Sequence, residues 1–291
     1  MRNAELMGEA WAAALPPVLC YHRVGGPLEL GVTRVAKSVF ARQMMELAGA
    51  GWRTLTLAEF SQRVTHPASR IPHLELLLTF DDAYASLAEH VYPVLADVGF
   101  TATTFVITDY VGRLNTWDVR YTWRRLAHLD WDTIGCWQEG GFDFASHTAS
   151  HSRLTWLSDG QAAAELERSG ETLRHRLGPQ AARAVAYPFG ARDERIERLA
   201  RAAGYELGFG GVRGNNSPFA LTRLPVYVWD VGMVPFGLRR NASGALGRFI
   251  ADVANRCAVG TSVMKGLGPQ APHPPRPPSR GSPCPHRWSS P

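Results

Sequence analysis

A chain of 291 residues with an apolar fraction of 45% suits one large α/β domain or two small ones. No run of eighteen apolar residues occurs, so no integral membrane segment is expected, and a start carrying Glu5 and Glu9 without a basic opening makes a poor export signal, which leans the expectation to the cytoplasm. The net charge of +5 is concentrated in the last 26 residues, where Arg276, Arg280 and Arg287 meet no acid; with no basic stripe interleaved with aromatics, no nucleic-acid partner is expected.

In chain order, short apolar runs alternate with amphipathic stretches. Candidate strands are Pro17–Val24, Leu74–Phe80, Thr101–Ile107, Phe142–Ser146, Ala184–Tyr187 and Tyr205–Phe209. Between them, Ser38 is placed to cap a helix carrying Phe40, Met44 and Leu47 on its apolar face. Ala83 to Val98 reads as a helix interrupted at Pro93 and stopped by Gly99. Ser158 and Gln161 form a capping box for a helix ending at Gly178, and Asp193 opens another that stops at Gly204. This alternation predicts a parallel sheet covered by helices, either open or closed into a barrel. The four cysteines (Cys20, Cys136, Cys257, Cys284) form no C-x-x-C pair, which argues against a zinc knuckle or a dense disulfide framework and suggests isolated apolar residues. Residues 261–291, rich in Pro, Ser, Gly and Arg, are expected to be a disordered tail, after a domain at 17–260 and an extension at 1–16.

Two constellations carry chemistry. Leu76-Leu77-Leu78-Thr79-Phe80-Asp81-Asp82 ends a doubly buried strand in two adjacent carboxylates, where parallel α/β folds gather functional side chains. One aspartate is explained as a helix cap; the second is a liability unless a cation or a proton transfer uses it. After a later strand, His147 and His151 stand four residues apart, which on a helical turn would aim two imidazoles at one metal. Two imidazoles and one carboxylate suit Zn²⁺ first, with Co²⁺, Ni²⁺ and Fe²⁺ accepting the same set.

Thr79-Phe80-Asp81-Asp82 and Ser146-His147-Thr148-Ala149-Ser150-His151 resemble, in order, the first two motifs of the polysaccharide deacetylase (NodB homology, carbohydrate esterase 4) family. Ala186-Tyr187-Pro188-Phe189-Gly190 resembles the third motif, and Leu221-Thr222-Arg223-Leu224-Pro225-Val226 the R-[IL]-P-V segment that closes the domain. Pro17 to Val24 is similar to the start of the poly-N-acetylglucosamine deacetylase branch. The resemblance implies a distorted (β/α) barrel of the NodB type and a hydrolase that removes acetyl groups from N-acetylated glycans. It assigns Asp82, His147 and His151 to a divalent metal, Asp81 to the general base, and the Phe189 backbone N–H to the oxyanion, with Tyr187 and Gly190 beside the substrate.

The family's C-terminal L-x-H acid is absent here, and His22 stands where the permuted branch places its equivalent. The motif-three arginine that orients the base is also missing. Ala186 occupies its place, and Arg183 is the nearby substitute considered. Trp117, Trp123, Trp131, Trp137 and Trp156 crowd the histidine region and fit either a sugar cleft or core packing. Hydrolysis of a small amide, and glycan binding without catalysis, stay open as alternatives.

Overall fold

The computed structural model describes residues 15–26, 33–66, 74–116, 125–212, 217–232 and 235. The expected tail, most of the expected N-terminal extension, Cys257, Cys284, Trp117 and Trp123 lie outside them. Each of the six expected strands is present, with trimmed ends. β1 is Val18–Tyr21, followed by the short β2 (Arg23–Val24), β3 (Arg34–Val35) and β4 (Arg53–Thr54). β5 is Glu75–Phe80, β6 Thr103–Val106, β7 Asp143–Ser146, β8 Ala184–Ala186, β9 Leu207–Phe209 and β10 Leu224–Pro225.

The main sheet runs β10-β1-β5-β6-β7-β8-β9, with β4 also on β5, and every pairing is parallel. A parallel bridge from Phe209 to Leu221 joins β9 to the segment that continues into β10, so the sheet curls back on itself as a distorted barrel. β5 is buried along its whole length, as an apolar run covered on both faces should be. Alternation along the strands sorts the core. Val18, Leu77, Phe105, Ala145, Ala184, Ala186, Leu207 and Phe209 share one cluster with Leu57 and Phe60, which fills the barrel. The alternate residues Leu19, Leu76, Leu78, Phe80, Val106 and Phe144 pack outward against helices. On this parity His22, Asp81 and His147, two residues beyond Cys20, Thr79 and Ala145, fall at the inner C-terminal rim.

The helices are α1 (Lys37–Gly49), α2 (Leu57–Thr65), α3 (Ser86–His90), α4 (Tyr92–Asp97), α5 (Trp131–Glu139), α6 (Asp159–Leu177) and α7 (Glu194–Ala202). α1 buries Phe40, Met44 and Leu47 as expected, but its N-cap is Ala36, and Ser38 lies one residue inside the helix. The helix expected over 83–98 is two short ones. Ala83 has a φ of 52° and belongs to a loop, while Pro93 sits in the first turn of α4, where a missing N–H costs nothing. The Ser158–Gln161 capping box, the Gly178 stop (φ 89°) and the Asp193 cap on the Ile196 N–H are all formed. Cys20 is free and buried, whereas Cys136, expected to be isolated, is disulfide-bonded. No helix among the described residues is long and apolar enough to cross a membrane.

Ser158→Ala removes one half of the capping box and is expected to cost about 1 kcal/mol, lowering the melting temperature by roughly 2–4 °C. Calorimetry checks this, and an unchanged melting temperature would show that α6 is held by packing alone.

Candidate active site

β5 delivers both aspartates, and the backbone sends them in different directions. Asp81 continues the inward parity of Leu77 and Thr79. Its Oδ1 and Oδ2 accept a bidentate pair of hydrogen bonds from Arg223 Nη1 (2.6 Å) and Nη2 (2.8 Å), with both residues buried. Arg223 is itself fixed, its Nε donating to the Gly210 carbonyl at 2.9 Å and its guanidinium lying 5.6 Å from the centre of the Phe105 ring. The Cys20 thiol adds a weak bond to Asp81 Oδ2 at 3.6 Å. Burial alone would raise the acid's pKa. The Arg223 guanidinium, helped by His147 and His22, reverses this and holds Asp81 far below the ordinary carboxylate range.

His22 Nε2 lies 3.9 Å from Asp81 Oδ2, and its side chain is a quarter exposed. Burial pushes its pKa down to about 4 against the pull of Asp81, so the free imidazole is neutral near pH 7.

Asp82 takes a φ of 71°, a left-handed conformation that turns its carboxylate away from Asp81 and toward the histidine loop. The segment after residue 125 pins this turn. The Nδ1–H of His128 donates to the Asp82 carbonyl (2.6 Å), the Leu129 N–H to Ala83 (2.8 Å), and the Ala85 N–H to Ala127 (2.8 Å). His128 is buried and stacked on Tyr84 at 5.1 Å, and burial lowers its pKa to about 4 despite its bond to the Asp82 carbonyl.

The two site histidines do not share a helical turn. Thr148 (φ 64°) and His151 (φ 60°) are left-handed, and the loop folds back so that the imidazole centroids are 4.8 Å apart. Bonds from the Thr148 N–H to Ser146 Oγ (3.1 Å), the His151 N–H to Thr148 Oγ1 (3.2 Å) and the Ser150 N–H to Glu165 Oε2 (2.8 Å) hold that shape. All five non-glycine residues with positive φ among the described residues (Asp82, Ala83, Thr148, His151 and Phe189) surround this site.

His147 donates its Nδ1–H to the Ala186 carbonyl at 2.8 Å, which leaves its Nε2 lone pair facing Asp82. Burial outweighs the pull of Asp81 and keeps this imidazole neutral. Asp82 Oδ1 is 3.5 Å from both His147 Nε2 and His151 Nε2, too long for good hydrogen bonds. Two atoms bound to one tetrahedral ion at about 2.1 Å stand about 3.4 Å apart, so these three side chains fit a divalent metal. Their donor atoms, all within 4.8 Å of one another, would hold it. Cys20, His22 and Asp81 are similarly close, but the Asp81 oxygens are already engaged by Arg223.

The motif-three residues divide. Phe189 (φ 60°) sets its ring 4.8 Å from that of His151. Gly190 (φ 62°) is required by a backbone neighbour, because a Cβ there would stand 2.7 Å from the Gly211 nitrogen; the close approach is to β9's continuation. Tyr187 is fully buried with its hydroxyl donating to the Phe219 carbonyl (3.2 Å), so its side chain offers no substrate contact. Arg183 precedes β8, at the far end of that strand from the site, and pairs with Glu206 at 3.0 Å; Arg223 holds Asp81 instead. Of the tryptophans, Trp137 is core, Trp131 is half-buried beside Arg176, and Trp156 is exposed.

The family model described as polysaccharide deacetylase matches residues 72–208. The Bacillus subtilis protein YxkH, named for the same activity, is 29% identical over 217 residues, covering 72% of this chain and 71% of its own. The poly-β-1,6-N-acetyl-D-glucosamine N-deacetylase of Staphylococcus epidermidis is 26% identical over 66% of this chain and 70% of its own. Among solved structures, the Streptococcus pyogenes deacetylase PplD in complex with acetate aligns with a TM-score of 0.64 at 22% identity, covering 74% of this chain and 93% of that one. IcaB from Ammonifex degensii aligns with a TM-score of 0.61 at 24% identity, covering 82% and 96%. The barrel is of the NodB deacetylase type, and over residues 72–208 the chain is similar to the polysaccharide deacetylase family, to which the names of these relatives also point.

Arg223→Met leaves Asp81 buried beside no cation that spans both its oxygens, and a broken buried pair costs about 3–5 kcal/mol. Urea unfolding is expected to show a loss of that size. A loss under about 1 kcal/mol, the scale of an exposed pair, would mean that the bidentate contact does not hold the site together.

Proposed function

We propose that this chain hydrolyses the acetamide of an N-acetylated glycan, releasing acetate and a free amine. The observation that carries this reading is the division of labour between two adjacent carboxylates. Asp81 is locked on Arg223 while Asp82 faces the Nε2 atoms of two imidazoles. A site for binding alone needs no second, separately oriented carboxylate beside the first.

A divalent metal held by Asp82, His147 and His151 would supply the Lewis acidity that brings water toward ionisation near neutral pH and polarises the acetamide carbonyl. Asp81 is a weak base, but Arg223 keeps it ionised and fixed, so it takes a proton from the attacking water without having to reorient. Phe189 takes a left-handed conformation with its ring 4.8 Å from that of His151, and its backbone N–H is the group that would donate to the oxygen of the tetrahedral intermediate. The leaving nitrogen needs a proton. His22, within 4 Å of Asp81 and partly open to solvent, is the group placed to pass one from Asp81 to the amine. The N-acetylglucosamine polymer named for the Staphylococcus relative makes N-acetylglucosamine oligomers the first substrates to offer. Zn²⁺ is the first ion to load, with Co²⁺, Ni²⁺ and Fe²⁺ as competitors for the same donors.

Acetate release from those oligomers by Zn²⁺-loaded protein tests the proposal. Chelation is expected to abolish it and added metal to restore it. Asp81→Asn should keep one equivalent of metal yet lose about 10²–10⁴-fold in kcat, and His22→Ala should lose activity over the same range. No acetate from fully metal-loaded protein on any acetylated sugar would overturn the reading.

A further inference from the structure

We propose that Arg153, held between Trp156 and Phe189 beside the site, binds an anionic group, a carboxylate or a phosphate, carried by the glycan next to the acetamido sugar. This deepens the deacetylase reading and rests on it. Other arginines on the loops and helices flanking the site have carboxylate partners. Arg168 pairs with Asp109 and Glu165, Arg195 with Asp159, Arg192 with Glu197, and Arg223 with Asp81. Arg153 is different. Its Nε and Nη1 are buried, and among the described residues they donate to no acceptor and no carboxylate pairs with them.

What surrounds the guanidinium is aromatic. Its centre lies 5.1 Å from the Trp156 ring and 6.0 Å from the Phe189 ring. Phe189 in turn packs on His151, so the uncompensated charge stands one ring away from a side chain of the metal-binding trio. Ring faces stabilise a cation but accept none of its in-plane N–H bonds. A planar fork of donors matches a carboxylate or phosphate, which would neutralise the charge and accept those bonds together. Trp156 is more than half exposed, and an open indole face beside the fork gives the sugar bearing that anion a surface to stack on.

The test compares three N-acetylglucosamine oligomers of equal length: one neutral, one with a carboxylate and one with a phosphate on the neighbouring sugar. Acetate release gives kcat/KM for the full Zn²⁺-loaded chain, and calorimetry on the Asp81→Asn protein gives Kd without turnover. We expect a preference for an anionic oligomer of about tenfold in both readouts, shrinking as salt rises. Arg153→Met should collapse that preference through KM, and Arg153→Lys should restore part of it. The carboxylate and phosphate arms tell the two sources apart. Wild-type protein that does not discriminate, discrimination indifferent to salt, or an Arg153→Met loss shared equally by all three oligomers would each overturn the proposal. If Arg153→Met fails to fold, the salt dependence of the wild type decides alone. A calorimetric preference without any acetate release would sink the deacetylase reading and leave the anion site standing. Acetate release without preference would do the reverse.

Discussion

Two negative side chains at the end of one buried strand repel each other and lose water, so each needs its own compensation. Everything else at the site follows from how that conflict is resolved. Asp81 keeps the strand's inward parity and meets a guanidinium that spans both of its oxygens. Asp82 leaves the strand through a left-handed turn and meets two imidazoles instead. The separation has a chemical consequence. A carboxylate bridged by arginine already has its charge neutralised and gains little from a cation, though it keeps lone pairs for a proton. One set 3.5 Å from two imidazole nitrogens has the donor spacing that a cation would use.

Holding this arrangement requires a rigid frame, since left-handed conformations at non-glycine residues are strained and persist only where their surroundings over-determine them. Barrel closure supplies the frame. Arg223 reaches Asp81 because the segment after β9 bonds back onto it and then runs beside β1 as β10. His147 is aimed through the carbonyl that ends β8, and the Asp82 turn is clamped by His128. Contacts to the site thus come from β1, β5, β7, β8, the approach to β10, and loops on two sides, which is the preorganisation a hydrolytic centre needs.

The strands were legible because a doubly covered parallel strand has an unmistakable apolar run, and the helix starts at Ser158 and Asp193 because their caps are local chemistry. The motif residues were legible as chemistry, but their geometry was not. The His147–His151 spacing suggested a helical turn, and nothing in a Thr or a His announces the left-handed φ that Thr148 and His151 adopt. Arg183 was considered for its nearness in sequence to motif three. It fails because it enters β8 at the end opposite the site, whereas Arg223 reaches Asp81 across 142 positions of sequence separation. The R-[IL]-P-V segment marked Arg223, yet its role depends on barrel closure, a long-range property that no local pattern carries. His128 gave no signal at all, coming from a stretch without periodicity.

A crystal structure of the protein loaded with Co²⁺ tests the division between the two aspartates most directly. The account predicts one ion on the Asp82 carboxylate and the Nε2 atoms of His147 and His151, with Asp81 uncoordinated and still bridged by both Arg223 nitrogens. An ion that draws Asp81 off Arg223, an ion seated between Cys20, His22 and Asp81, or no bound ion at all would contradict it.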